Sequence, residues 1–209
     1  INAAEGMDCI INLSVLRQDR KLAFDVSTKG NYSMMNAAKI HNIKRVINTG
    51  PHFQMLGQSY EEWDFNLNPE MPPQPGTRLY AISKFLGQEI AKRYSDYFGI
   101  NLITLLYYNM RHHYDLTTPN EEKAVLHNDM VPFTTSWIDC GEAVRCAVEI
   151  DKSKLHSNSE TFFISPMTPH NKFNSSKTFD VLGWRPKYSL ENLWTKKIKK
   201  SNNHIEDSY

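Results

Sequence analysis

The run YAISK, residues 80–84, places the phenol of Tyr80 and the ammonium of Lys84 four residues apart. It opens an amphipathic helical stretch, so both side chains are expected on one face of the helix. A cation held near a phenol hydroxyl favours the phenolate, and such a phenol can exchange a proton with a substrate. The same spacing also occurs on surface helices as a solvated pair. The rest of the sequence therefore has to distinguish a catalytic pair from a surface one.

Composition sets the broad class. The chain has 209 residues, 40% hydrophobic and 22% charged, with a formal net charge of +1. These values are typical of a globular protein with a sizeable core. The small net charge argues against nucleic-acid binding, which needs a concentrated basic surface. No apolar run reaches the roughly 18 residues of a membrane span, so no membrane association is predicted.

The three cysteines and the histidines indicate no metal site. Cys9, Cys140 and Cys146 are odd in number, lack CxxC spacing and lie in apolar neighbourhoods. They are typical of buried free thiols in a reducing compartment, which predicts a cytoplasmic protein. His112 and His113 are adjacent, a spacing poorly suited to joint metal ligation.

The order of apolar and amphipathic segments predicts a parallel sheet with helical connections. Strands are expected at residues 8–14, buried on both faces, at 44–49, stopped by Gly50-Pro51, and at 100–108. Helices are expected at 22–43 and from Tyr80 to Gly99. Ligands bind at the carboxyl ends of such strands. Thr49, Asn109 and a proline-rich loop over 51–77, a candidate lid, all fall at those ends.

Later segments predict a helix after residues 136–139, a strand at 161–164 and a last helix capped by Ser189. The basic cluster at 196–200 precedes a polar tail and is typical of a helix end and a frayed terminus.

Five separated stretches resemble, in order and spacing, the extended short-chain dehydrogenase/reductase family, the NAD-dependent epimerase/dehydratases. The stretches are DCIINLS (8–14), DVSTKGNYSMMNAAKIHNIKRVI (25–47), NPEMPPQPGTRLYAISKFLGQE (68–89), LITLLYYNM (102–110), and WIDCGEAVRCAVE (137–149) together with LGWRPKYSLENLW (182–194). The resemblance implies an α/β fold, a Rossmann-type doubly wound parallel sheet. It also implies that residues 1–109 form part of a dinucleotide-binding domain, 110–200 a small substrate-binding region and 201–209 a flexible tail.

The family's functional residues can be carried over by position. The resemblance implies that Tyr80 is the general acid/base and that Lys84 holds the nicotinamide ribose of NAD or NADP. Asn12 and Ser14 would lie along the cofactor, or they would only satisfy groups at a strand end.

Three further positions follow from the same resemblance. Tyr107 and Tyr108 would line the nicotinamide pocket, or they would be core aromatics. Asn109 matches the family's substrate-contacting asparagine.

Two departures from the family pattern concern the chemistry. The glycine-rich phosphate loop is absent; its strand, turn and helix would precede Ile1, so an N-terminal part of the sheet is expected to be missing. The hydroxyl pair that contacts the reacting oxygen falls on Gly50-Pro51, which carry no hydroxyl. Thr49 is the nearest replacement, and His52 is another possible donor.

A third departure concerns the substrate region. The stretch from Asn109 to Trp137 is shorter than is usual for sugar-nucleotide enzymes of this family. Arg111, with the two histidines that follow it, could meet an anionic substrate, although a solvated polar turn fits equally well.

Two functions therefore compete. The first is an NAD(P)-dependent epimerase, dehydratase or reductase that acts on a sugar nucleotide or similar polar substrate through Tyr80. The second is a catalytically weakened or inactive relative that serves as a dinucleotide-binding or structural subunit. The apolar residues of the helix after Tyr80 allow a homodimer or intramolecular packing. They are Phe85, Leu86, Ile90, Tyr94 and Phe98.

Overall fold

A computed structural model of the chain describes residues 1–52, 66–116, 133–166 and 172–188. Its helices are α1 (Arg20–Ser27), α2 (Lys29–Ile40), α3 (Leu79–Phe98) and α4 (Trp137–Glu149). Its strands are β1 (Cys9–Asn12), β2 (Arg45–Pro51), β3 (Asn101–Tyr107), β4 (Asn109–Arg111), β5 (Thr134–Ser136) and β6 (Ser159–Ile164). Short 3₁₀ turns and one π-helical turn, Thr178–Leu182, complete the described elements.

The main sheet has the order β1-β2-β3-β6, and every pair in it is parallel. This arrangement agrees with the predicted parallel sheet with helical connections. A second, two-stranded parallel sheet pairs β4 with β5. Because all four strands of the main sheet run in one direction, their carboxyl ends meet at a single edge.

β3 is buried along its whole length, since helices cover both faces of the sheet. One face packs on α2 and α3; its members include Met35, Ala38, Val46, Ala91 and Leu102. The other face packs on α4 and the C-terminal segment; its members include Ile47, Ile103, Ala143, Phe162 and Trp184. The predictions for β3 and for α3, which is capped by Gly99 with a φ of 64°, are confirmed.

β1 differs from the prediction of a strand buried on both faces. Ile11 and Leu13 are 44% and 64% exposed. Among the described residues only β2 pairs with β1, so its other edge and part of its faces remain open.

Three other predicted boundaries were wrong. The helix expected after residues 136–139 already begins at Trp137. The helical stretch over 22–43 is two helices that meet at Thr28, whose hydroxyl donates to the carbonyl of Phe24 (2.8 Å). β2 does not stop before Gly50-Pro51 but includes both residues. Pro51 lacks a backbone donor, and the N–H of His52 instead donates to the Tyr107 carbonyl (2.8 Å).

Some predictions fall outside the described residues. These are residues 53–65 of the loop over 51–77, the last helix at Ser189, and the tail. The boundaries at 109 and 200 stay predictions, although β6 from the second region pairs with β3. The homodimer also stays a prediction; Leu86 and Phe98 on α3 are 37% and 39% exposed.

α3 is held close to α1 at a glycine. A Cβ added to Gly87 would lie 2.0 Å from the backbone oxygen of Ser27 and 2.7 Å from the side-chain nitrogen of Asn31. Only a hydrogen therefore fits between the two helices. This contact fixes the depth of α3, and with it the positions of Tyr80 and Lys84.

We expect Gly87→Ala to lower the free energy of unfolding by about 2–3 kcal/mol, because overpacking outweighs the better helix propensity of alanine. Gly30→Ala is the matched control, since its Cβ would lie 3.8 Å from the nearest heavy atom. That variant should be neutral or slightly more stable. Urea unfolding of both proteins measures the difference, and equal effects would contradict the close approach.

Candidate functional site

A cavity of about 440 Å³ lies at the carboxyl edge of the main sheet. It is lined by residues after β1 (Leu13, Ser14, Val15, Arg17), at the end of β2 (Thr49, Gly50, Pro51), at the start of α3 (Tyr80, Lys84), around β3 and β4 (Tyr107, Tyr108, Met110) and along α4 (Trp137, Cys140, Gly141, Val144). Its size is that of a small-molecule site. No acidic side chain is among these lining residues.

Tyr80 and Lys84 both face this cavity, as their spacing on α3 predicts. Lys84 is only 5% exposed, and its ammonium donates to the backbone carbonyl of Ser14 (2.8 Å). Burial, with a smaller contribution from the nearby charge of Arg17, lowers the pKa of Lys84 to about 8. The ammonium is therefore a buried cation that titrates just above neutral pH.

Arg17 is a site residue that the sequence analysis missed. Its guanidinium carbon lies 4.7 Å from the centroid of the Tyr80 ring, and its Nη2 lies 3.5 Å from the Tyr80 hydroxyl. Two cations, Arg17 and Lys84, thus face one cavity. Arg17 could have been predicted from its position in the loop after β1, because ligands bind at this edge of a parallel sheet.

Thr49, the nearest replacement for the missing hydroxyl pair, lines the cavity beside Gly50 and Pro51. Its hydroxyl donates to the backbone carbonyl of Asn12 (2.8 Å). The proton of that hydroxyl is therefore engaged within the protein, while its oxygen can still accept a hydrogen bond.

His52, the other possible donor, is not among the lining residues of the cavity. It is 4% exposed and stacks on Tyr108, with ring centroids 3.9 Å apart. Burial lowers the pKa of His52 to about 3, so its imidazole is neutral. Its environment is that of a core histidine.

Tyr107 and Tyr108 line the cavity and also pack in the core. The hydroxyl of Tyr107 donates to the carbonyl of Cys140 (3.1 Å). Burial, and secondarily the neighbouring Cys140, raises the pKa of Tyr107, and burial raises that of Tyr108 to about 12. Both phenols therefore stay protonated at neutral pH.

Asn12 and Ser14 differ in their positions. Ser14 lines the cavity, whereas the side chain of Asn12 is engaged with its neighbours. Its amide donates to Asn48 (2.9 Å), and its oxygen accepts from the backbone N–H and the hydroxyl of Ser14 (3.1 and 2.6 Å). Ser14 is thus the member of this predicted pair that can meet a ligand directly.

The predicted substrate residues Asn109 and Arg111 are not among the residues that line the cavity. Both lie on β4, where Met110 between them does line it. Alternate residues of a strand point to opposite faces, which explains the difference. Their roles in substrate binding stay predictions.

α4 contributes residues that the sequence analysis did not assign to the site. Trp137, at the start of the helix, is 60% exposed and lines the cavity. Cys140 is a buried free thiol whose pKa is raised to about 12 by burial and by the adjacent charge of Asp139. Such a thiol is protonated and unreactive. Cys9 and Cys146 are also free but only half-buried.

Two absences hold for the residues described. No group of three or more His, Cys, Asp or Glu side chains is arranged to hold a metal ion within residues 1–52, 66–116, 133–166 and 172–188. Within those same ranges, no helix is both long enough and apolar enough to span a bilayer.

The chain matches a family model and a set of solved structures. A model of the NAD dependent epimerase/dehydratase family matches residues 2–125. No curated protein sequence matches the chain.

Solved structures share its fold. A mutated uronate dehydrogenase is 20% identical, with a TM-score of 0.70, over 98% of this chain and 68% of that one. Glucuronic acid dehydrogenase from Chromohalobacter salexigens is 17% identical, with a TM-score of 0.69, over 98% and 70%. UDP-glucuronic acid 4-epimerase from Bacillus cereus, solved with NAD, is 16% identical, with a TM-score of 0.66, over 90% and 72%.

These similarities confirm the predicted Rossmann-type α/β fold. The family model covers more than half of the chain, and its description agrees with the expected nicotinamide cofactor. The chain belongs to the NAD-dependent epimerase/dehydratase family.

Proposed function

We propose that the protein is an NAD-dependent oxidoreductase of the epimerase/dehydratase type, with Tyr80 as the general acid/base. The observation that carries this proposal is that Tyr80 and the buried cation Lys84 line one cavity at the carboxyl edge of the sheet. A phenol and an ammonium in such a cavity are suited to moving a proton at a hydroxyl or carbonyl oxygen.

The lining residues fit the nicotinamide end of the cofactor. Lys84 offers a buried ammonium to a ribose hydroxyl, and Tyr107 and Tyr108 offer protonated, largely apolar walls to a flat ring. When bound, the nicotinamide supplies the acceptor for a hydride from the substrate carbon. NAD is chosen because the family is NAD dependent and the Bacillus cereus epimerase was solved with it.

The chain's own contribution is proton transfer. Tyr80 takes the proton from a substrate hydroxyl, so the O–H bond breaks as the carbonyl forms. In the reverse direction Tyr80 returns that proton to the oxygen. Arg17 lies beside the phenol, with its Nη2 3.5 Å from the hydroxyl, and Lys84 lines the same cavity. Both cations can stabilise negative charge that develops on the reacting oxygen during the exchange.

The surroundings of Arg17 support the proposal of an anionic substrate. Arg17 forms no salt bridge with any described residue, and the cavity lining offers it no carboxylate. Guanidinium groups bind carboxylates and phosphates with two parallel hydrogen bonds. Similar structures are named for uronate and for UDP-glucuronic acid. We therefore propose a sugar acid or nucleotide sugar as the substrate.

A second function has one observation in its favour. Gly50 and Pro51 carry no hydroxyl, and the hydroxyl proton of Thr49 is engaged with Asn12. The reacting oxygen would then lack one donor, as in a relative that binds a dinucleotide without turnover. Turnover separates the two functions, because dinucleotide binding is common to both.

We expect Tyr80→Phe to lower kcat by about 10²–10⁴-fold, because the variant loses the group that exchanges the proton. Its affinity for NAD should change little, since the ring remains. Steady-state assays with a panel of sugar acids and nucleotide sugars, together with NAD titration, measure both quantities. Undiminished turnover in Tyr80→Phe would contradict the catalytic role, and binding without any turnover in the unmodified protein would favour the second function.

Arg17→Gln should lower kcat/KM for a sugar acid by about 10–100-fold, the value of a hydrogen bond to a charged group. The loss for the corresponding neutral sugar should be much smaller, and Arg17→Lys should recover part of it. Arg20→Gln, which removes an exposed arginine at the start of α1, is the control. Equal losses for charged and neutral sugars would contradict recognition of an anion by Arg17.

The buried ammonium also predicts a pH dependence of stability. The pKa of Lys84 falls from 10.5 in the unfolded chain to about 8 in the folded one. Between these values the unfolded chain binds a proton that the folded chain has released, so the contribution of Lys84 to stability rises with pH. Urea unfolding should show that Lys84→Met loses this rise between pH 8 and 10.5.

Lys92→Met, which removes an exposed lysine of the same helix, controls for the loss of a lysine as such. An identical pH slope in the unmodified protein and in Lys84→Met would show that the ammonium is not buried as described.

A further inference from the structure

A closed ring of hydrogen bonds joins α3 to the ends of β1 and β2. The Lys84 ammonium donates to the Ser14 carbonyl (2.8 Å), and Ser14 donates to the side-chain oxygen of Asn12 through its N–H and its hydroxyl. The Asn12 amide donates to Asn48 (2.9 Å), whose own amide donates to Gln88 (2.8 Å). Gln88 lies one helical turn after Lys84, so the backbone of α3 completes the ring.

The ring has a fixed direction. Asn12, Asn48 and Gln88 each accept through the oxygen on one side and donate through the nitrogen on the other. Flipping any one of these amides would place two donors or two acceptors face to face. Gln88 ends the series by donating to the hydroxyl of Thr104, which is fully buried on β3. The direction of the three amides is set at the other end of the series, because the backbone N–H of Ser14 can only donate, whereas the Thr104 hydroxyl can donate or accept.

Burial alone does not call for a polar series at this interface. Asn48 on β2 and Gln88 on α3 are 4% and 7% exposed, and apolar side chains are the commoner choice at positions so deeply buried. Replacing both partners of a buried hydrogen bond by apolar groups can be nearly neutral for stability. The outer end of the series, however, is the Ser14 carbonyl, and that carbonyl accepts the hydrogen bond from the cation in the cavity.

We infer that Asn12, Asn48 and Gln88 are positioning residues for Lys84: they fix the Ser14 carbonyl, which fixes the ammonium in the cavity that Tyr80 also lines. Gln88 and Asn48 are not among the residues that line the cavity, and they act through Lys84. The functional part of this inference, that the ammonium contacts the dinucleotide, rests on the proposed function. The placement of Lys84 by the ring does not.

Gln88→Met keeps the length of the side chain and removes its hydrogen bonds. We expect NAD affinity, measured by calorimetry, to fall about tenfold. Ser95→Ala is the matched control, because Ser95 is fully buried on the same helix and donates to Ile100 (2.7 Å) outside the ring. It should lose stability but keep NAD affinity within about twofold. Equal affinity losses in the two variants would overturn the inference.

The Lys84→Met protein distinguishes an effect of Gln88 through Lys84 from a general structural effect of Gln88. If Gln88 acts through Lys84, adding Gln88→Met to the Lys84→Met protein should cause no further loss of NAD affinity. Additive losses in the double variant would show that Gln88 affects binding by another route, and would overturn the inference.

A readout without cofactor separates this inference from the proposed function. Trace labelling with acetic anhydride, quantified on the Lys84 peptide by mass spectrometry, should proceed several-fold faster in Gln88→Met than in Ser95→Ala. Equal rates would overturn the placement of Lys84 by the ring. If the unmodified protein binds no NAD, the proposed function is contradicted. The labelling rates alone then decide whether the ring places Lys84. If Gln88→Met does not fold, Asn12→Ala at the half-buried end of β1 replaces it. The same loss of NAD affinity and the same faster labelling of Lys84 are expected of that variant.

Discussion

The hydrogen bond from the Lys84 ammonium to the Ser14 carbonyl is the interaction on which the site depends. A buried ammonium is costly unless a fixed acceptor meets it. Here the acceptor belongs to the loop after β1, while the cation belongs to α3. The bond therefore ties a helix to the edge of the sheet at the point where the cavity opens. Burial of the same group brings its pKa to about 8, close to the working range of a protein in neutral solution.

The parallel sheet makes this arrangement possible. β1, β2 and β3 end at one edge, so segments far apart in sequence contribute to one cavity. The depth of α3 is set independently, because Gly87 allows the helix to approach Ser27 closely. Helix position, strand register and the Ser14 loop together leave Tyr80 and Lys84 on the wall of the cavity. The apolar core behind them, with β3 buried at every residue, keeps that wall rigid.

Much of the fold follows from local sequence. The apolar run of β3 and the glycine that ends α3 are strong signals, and both elements were predicted. The break between α1 and α2 was missed because Thr28 interrupts the helix through a side-chain hydrogen bond rather than through glycine or proline. The exposure of β1 was also missed, since an apolar run alone does not reveal which strands flank it.

Site residues could be predicted where their spacing on a helix or strand determines the direction of their side chains. Tyr80 and Lys84 share a face because they lie one helical turn apart. The directions of other side chains depend on tertiary packing. Met110 faces the cavity and Asn109 does not, because the pleat of β4 alternates their directions. His52 packs on Tyr108, and Arg17 reaches Tyr80 across 63 positions in the chain, contacts that no local pattern indicates.

A nicotinamide dinucleotide bound with its ribose at Lys84 and its reactive ring beside Tyr80 is the arrangement on which the proposed chemistry rests. A crystal structure of the protein with NAD would show whether it binds in this way. We expect a ribose hydroxyl within hydrogen-bond distance of the Lys84 ammonium and the nicotinamide ring in the cavity lined by Tyr80, Tyr107 and Tyr108. A dinucleotide bound elsewhere, or an ammonium still bonded only to Ser14 with the ring outside the cavity, would contradict it.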